Sequence, residues 1–260
     1  MGVGVGVGAG VDVGVGVGVG VGVGVGALAR VHAATAAGKN PVAILDLDLT
    51  LIDNAPRTRA VLRDWLATID DPRCDEAMTF VATMPLVFSI RENLAAVAGH
   101  LGREGDAELL AHGLRHWRRG FFDPANLVHD VALEGAPEAV TDLVAAGATV
   151  VYLTARPIAL AAGTIDRMRA LAFPIAEPAA LLVTKADHAE GDEAFKVRAL
   201  SWCGRLGEVV LCAENEPSHA NAMHRAFPDA LTVLIDTRHS LPAPEPAPAI
   251  VRVPRFADAL

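Results

Sequence analysis

Residues 43–53 read AILDLDLTLID, and the fold turns on how this stretch is taken. Ile44, Leu45, Leu47, Leu49, Leu51 and Ile52 form a nearly unbroken apolar run, the mark of a strand buried on both faces of a sheet. Asp46 and Asp48 interrupt it. They make sense at the carboxyl end of such a strand, where open parallel sheets bind ligands. At i, i+2 spacing both point the same way while strand geometry persists. Carboxylates this close repel unless a cation joins them or one keeps a proton. Hard oxygen ligands favour Mg²⁺. In isolation, the simpler reading is a turn cap beside a partly exposed neighbour, so the rest of the chain must decide.

Beyond the first strand, apolar runs alternate with helical periodicity. GAPEAVTDLVAAG (135–147) reads as a helix closed by Gly147, and ATVVYL (148–153) as a second buried strand. Helices over 158–173, 193–207 and 216–227 alternate with strands ALLV (180–183), EVVLCA (208–213) and LTVLI (231–235). A Pro-rich connection, LPAPEPAPAI (241–250), leads to a last short strand in AIVRV. Continuous apolar strands separated by helices predict an α/β fold, a Rossmann-like parallel sheet covered by helices on both faces. Residues 55–130 break the rhythm. RTRAVLRDWLATI, DEAMTFVATM, SIRENLAAVAGHL and DAELLAHGLRHWRRGFF are all helical in pattern. They predict a helical insert after the first core strand, with the core formed by 37–54 and 131–260.

The chain opens on GVGVGVGAGVDVGVGVGVGVGVGVG, a Val-Gly repeat. Gly and Val are both weak helix formers. The repeat lacks the basic and Leu-rich regions of a signal peptide, and its glycine content and Asp12 make a poor membrane span. Residues 1–36 are expected to be a disordered low-complexity extension. Net charge is −9 and the pI about 5.4, which argues against a nucleic-acid surface. The densest basic run, Arg115–Arg119, reads as a solvated helix face. Cys74, Cys203 and Cys212 form neither a CxxC pair nor a disulfide framework, which points to a reducing cytoplasm. Oligomeric state is open.

Other strand ends are polar too. Thr154 and Arg156 follow the second strand in YLTARP; Glu214, Asn215 and Glu216 follow a later one in LCAENEP; Lys196 lies on the helix before it. Arg156 is placed either to contact a substrate or to orient the site. Three strand ends with convergent polar groups, plus a lysine, exceed what isolated caps explain.

DLDLTL (46–51), VVYLTARP (150–157), FK (195–196) and VVLCAENEP (209–217) together resemble the four ordered motifs of the haloacid dehalogenase-like hydrolase superfamily. The match covers most of residues 41–256. The resemblance implies a Rossmann-like core with a helical cap at 55–130, and a Mg²⁺-dependent phosphatase working through an aspartyl-phosphate on a small phosphorylated metabolite. It implies Asp46 as nucleophile. It implies Asp48 as general acid and then base, with its backbone carbonyl on Mg²⁺. Thr154 and Lys196 would hold the phosphoryl oxygens, and Glu214 would complete the metal ligands Asp46 and Asp48. The sequence departs from the pattern at Leu49, where Gly is frequent, at Glu214, where Asp is, and at Ser218. Asn215 or Glu216 stand as alternatives for the metal, and Lys185 as the rival of Lys196. Asp53 and Asn54 read as closing the loop after the first motif, Arg57 and Arg59 as solvated helix positions.

The chemistry agrees independently. Carboxylates form phosphorylated intermediates that split one displacement into two, and positioning with charge neutralisation carries most of phosphoryl transfer. A dehalogenase has no use for an acid at Asp48. A phosphonate-cleaving enzyme needs a cap lysine, and residues 55–130 contain none. A non-catalytic binding protein on the same scaffold is the remaining alternative.

Overall fold

The computed structural model describes residues 26–187 and 189–260. Among them are eight strands: β1 (Pro41–Leu45), β2 (Ile52–Asp53), β3 (Val131–Ala132), β4 (Thr149–Pro157), β5 (Ala180–Lys185), β6 (Glu208–Glu214), β7 (Leu231–Ile235) and β8 (Val251–Val253). Six form one parallel sheet in the order β5-β4-β1-β6-β7-β8. β1 is entirely buried, as its unbroken apolar sequence requires. Alternate residues feed two cores. Ala43 and Leu45 join Val150 and Tyr152 on one face, and Val42 and Ile44 join Val151 and Leu153 on the other.

Helices cover both faces. α1 (Ala27–Ala36) and α6 (Ala136–Ala145) lie against the first core; α8 (Asp192–Cys203) and α9 (Pro217–Ala226) supply Phe195, Leu200 and Met223 to the second. α7 (Ala161–Ala170) follows β4. Since β4 and β6 flank β1 on opposite sides, the chain reverses direction around β1, and a crevice opens at the carboxyl ends of these three strands.

β2 and β3 pair antiparallel, Ile52 with Ala132 and Asp53 with Val131. Between them stand α2 (Ala55–Leu66), α3 (Cys74–Thr83), α4 (Ile90–His100) and α5 (Ala107–Phe121). Ser89 caps α4 through the Glu92 amide and Asp106 caps α5 through that of Leu109. The four helices close on a separate apolar cluster around Trp65, with Leu62, Val81, Leu94, Val97 and Leu109. Gly113 lets α5 approach closely: a Cβ there would lie 2.7 Å from Leu94 and 2.8 Å from Trp65.

One expectation needs correction. Residues 27–36 are an ordered helix, not part of a disordered extension; residues 1–25 lie outside the described residues. Ala27, Val31 and Ala34 are buried in the first core. LARVHAAT carries a short helical apolar stripe that is overshadowed by the repeat before it. Gly26 brings α1 against the last residue, for a Cβ on it would fall 1.7 Å from the Leu260 carbonyl oxygen. No helix among the described residues is long and apolar enough to cross a membrane. Cys74, Cys203 and Cys212 are free and buried.

Candidate active site

Asp46 directly follows β1, Thr154 lies near the end of β4, and Glu214 ends β6. These are adjacent strands, so the sheet brings together residues that are far apart in sequence. Lys196, on α8, connects them: its Nζ donates to Asp46 Oδ1 at 2.8 Å and to Glu214 Oε2 at 2.5 Å. Thr50 Oγ1 donates to the other Asp46 oxygen at 2.9 Å. Glu214 Oε1 accepts the amides of Asn215 and Glu216. All three charged groups are nearly inaccessible to water. Burial, then the Glu214 charge, push the Asp46 carboxyl up to about 7 against the pull of Lys196. Burial disfavours the Lys196 ammonium, but Asp46 and Glu214 outweigh it and raise its pKa above the ordinary value.

Asp48 belongs to a second constellation. Arg156 grips it with two bonds, Nε to Oδ2 and Nη2 to Oδ1, both 2.8 Å. Arg57 Nη2 reaches Oδ1 at 3.2 Å and Asn54 Nδ2 at 3.0 Å. Asp130 closes the ring, 2.8 Å from Arg156 and 3.0 Å from Arg57. Burial would raise the Asp48 carboxyl; the Arg156 charge and hydrogen bonds, with Arg57 and Asn54, overcome it and hold the group far below the usual carboxylate range. Burial and Arg156 lower Arg57 to about 10 despite its two acidic partners.

The two constellations differ in balance. Asp48 and Asp130 against Arg57 and Arg156 sum to zero. Asp46 and Glu214 against Lys196 leave one negative charge in a buried place, which is costly. Beside it, His219 Nδ1 is buried without a hydrogen-bond partner, 3.7 Å from Glu214 Oε2. Among the described residues no three acidic, His or Cys side chains gather as a metal cluster. Asp46 and Glu214 do fit a divalent cation, on charge and on donor type. The Asp48 carboxylate does not, since the arginines hold it; only its main-chain carbonyl remains for that role.

Arg156 is buried and bound to Asp48, Asp130 and Thr164. One reading of an individual residue is corrected. Arg57 is not solvated but 0% exposed. Asp48 is gripped as a carboxylate by Arg156 and Arg57. Lys196, not Lys185, reaches Asp46; Lys185 is held by Asp192 and the Glu190 carbonyl. Glu216 is spent on the Ser240 amide and hydroxyl. Asp53 accepts the Ala55 amide and pairs with Arg238.

Sequence reasoning missed Thr50 and Asp130. Asp130 gives no local sign, since its partners lie 73 and 26 residues away in sequence. Arg57 left one: with Val61 and Trp65 it forms an i, i+4, i+8 stripe on α2, and a cation inside an apolar stripe calls for a buried partner.

Asp46, Asp48, Thr154, Arg156, Lys196 and Glu214 all line one cavity of about 710 Å³, together with residues of the insert. No family model matches this chain, and no curated protein matches it in sequence. Solved structures do. A predicted phosphoglycolate phosphatase from Haemophilus somnus 129PT superposes with a TM-score of 0.54 at 15% identity, over 84% of this chain and 95% of that one. A candidate phosphatase from Clostridium difficile gives 0.53 at 13%, over 82% and 94%. A HAD-superfamily hydrolase of subfamily IA from Geobacter sulfurreducens PCA gives 0.48 at 16%, over 84% and 93%. At such identities the likeness shows the fold alone: this chain has the α/β architecture of the Haemophilus somnus and Clostridium difficile structures.

Proposed function

We propose that this chain hydrolyses a small phosphomonoester through Asp46, with Mg²⁺ as its resident cation. One observation carries the reading: a single carboxylate at the end of the central strand, with Lys196 and Thr50 on its two oxygens, lines a cavity of ligand size. In the first step an Asp46 oxygen bonds to phosphorus while the ester P–O bond breaks and the departing alkoxide takes a proton from solvent water, leaving as the alcohol. In the second, water attacks the aspartyl-phosphate, Asp48 takes its proton, and phosphate departs as Asp46 is restored. Lys196 and the Thr154 hydroxyl hold the phosphoryl oxygens. A divalent cation held by Asp46, Glu214 and the Asp48 main-chain carbonyl would offset the repulsion between anionic nucleophile and anionic substrate. The helical insert, residues 55–130, serves as a cap that limits substrates to small molecules.

The clamp on Asp48 favours one second reading, a protein that binds a phosphorylated ligand without turning it over. Phosphate release from a panel of phosphorylated metabolites with Mg²⁺ separates the two. Asp46→Asn should lower turnover at least about a thousandfold with the melting curve retained. Asp48→Asn should let a phosphorylated Asp46 accumulate, visible by intact mass. Near-normal turnover by Asp46→Asn removes the mechanism; ligand binding with no turnover by the wild type selects the second reading.

A further inference from the structure

The insert lends the cavity an aromatic wall. Phe88, Trp117, Phe121 and Phe122 all line it, in a chain with only eight Phe, three Trp and one Tyr. Three of them form one slab. Trp117 stacks on Phe121 with centroids 4.4 Å apart and planes 24° apart. Phe122 stands edge-on to both, at 6.3 and 5.3 Å. The Arg57 guanidinium lies 3.9 Å from the Phe121 centroid and also binds Asp48, so the slab is physically attached to the reacting end of the cavity.

The core side supplies a second, independent observation. Leu49, directly after Asp48, adopts φ +64°. Glycine enters that left-handed region freely, and a branched side chain does so at a cost. Its side chain is nonetheless retained, 6% exposed and lining the same cavity. Strained residues of this kind persist where the surroundings fix them, and they cluster at functional sites.

On the insert side of the cavity and beside Asp48, several neutral polar groups are already used by the fold. Asn54 is bonded to Asp48, Asn93 to both main-chain groups of Val87, and Ser89 to the Glu92 amide. A sugar phosphate would leave the rings against its hydroxyls on that side of the cavity.

We propose that the leaving group is flat and apolar: the substrate is a phosphomonoester of an alcohol bearing an aromatic ring, packed against the Trp117–Phe121–Phe122 slab and Leu49. This rests on the reading that Asp46 attacks a phosphoryl group, and the test keeps the two apart. Calorimetry of the full chain with Mg²⁺ compares 3-phenylpropylphosphonate with 3-hydroxypropylphosphonate, which differ only in a terminal phenyl or hydroxyl group and cannot be hydrolysed. The ring ligand should bind tighter by about tenfold or more. Trp117→Ala should narrow that ratio to about threefold or less. Leu49→Ala should narrow it too, with circular dichroism confirming that each variant folds. In parallel, kcat/KM is measured for 2-phenylethyl phosphate and glycerol phosphate, both alkyl esters. Equal affinities, or tighter binding of the hydroxyl ligand, overturn the aromatic assignment whether or not either ester is hydrolysed. A ring preference in binding with neither ester hydrolysed upholds the assignment and overturns the role of Asp46.

Discussion

Leu49 allows a direct test of whether the loop that follows the two site aspartates is strained. A non-glycine residue in the left-handed region costs about 1–2 kcal/mol. Here the conformation is imposed from outside: the Thr237 hydroxyl donates to the Leu49 carbonyl at 2.6 Å, and the Leu49 amide donates to the Ile52 carbonyl at 2.7 Å. Leu49→Ala and Leu49→Gly both remove the buried isopropyl group beyond Cβ and leave nearly the same void, so each should be less stable than wild type by roughly 2–4 kcal/mol. They differ in the Cβ. At an ordinary buried position Ala is the more stable of the two by about 1 kcal/mol, because glycine has more unfolded-state freedom to lose. At φ +64° the relieved strain of about 1–2 kcal/mol should cancel or reverse that order. The expected result is Gly equal to Ala or more stable by up to about 1 kcal/mol. Urea unfolding of the two variants with matched slopes resolves such a difference. If Leu49→Ala is the more stable by about 1 kcal/mol, the loop stores no strain, and one of the two supports for an apolar leaving-group site falls.

Glu214→Gln keeps shape and removes the charge beside Lys196, so the Mg²⁺ concentration at half-maximal rate should rise on the order of tenfold, about 1.4 kcal/mol. Glu216→Gln should leave that titration in place, because its carboxylate is bonded to Ser240; the opposite pattern would move the metal site by two residues. Relative to a chain beginning at residue 26, one beginning at residue 37 loses the buried Val31 and its neighbours. It should unfold about 3 kcal/mol more easily, and calorimetry should show a melting temperature lower by roughly 6–12 °C; an unchanged melting temperature would refute the packing of α1. Because Asp48 is held ionised, its carboxyl carbon should keep the NMR shift of a carboxylate as pH falls through about 4, the ordinary value. Its contribution to stability is present above that value and is lost as pH falls further, through the folded pKa. Titration of Asp48 at or above pH 4 would show that the clamp does not form.

The core was legible because its signals are local. VAILDL and VVYL have the apolar continuity of strands buried on two faces, and the polar residue after each marked the end where the cavity lies. Lys196 could be chosen over Lys185 from its context alone. What escaped was long-range or masked. Nothing near Asp130 announces that it closes an ion ring with residues 57 and 156, since that ring exists only once β2 and β3 have paired. The state of Asp48 is set by the same ring, and a motif that names an aspartate says nothing of the guanidiniums around it. α1 was hidden by composition, its modest stripe read as a continuation of the Val-Gly repeat.

The ion ring also bears on modularity. Arg57 and Asp130 stand at the two ends of the helical insert, whereas Asp48 and Arg156 belong to the core. The insert therefore meets the core through one acid and one base from each side, a four-way charge register. Grafting an insert from another protein of this fold at 55–130 would remove both outer members at once and leave Asp48 with a single guanidinium. A chimera would then lose the orientation of a site residue that it had kept in sequence. Recombination in this chain should succeed only where the graft carries an arginine near its start and an acid at its end, so the boundary for exchange is drawn by charge pairing and not by where the helices begin and end.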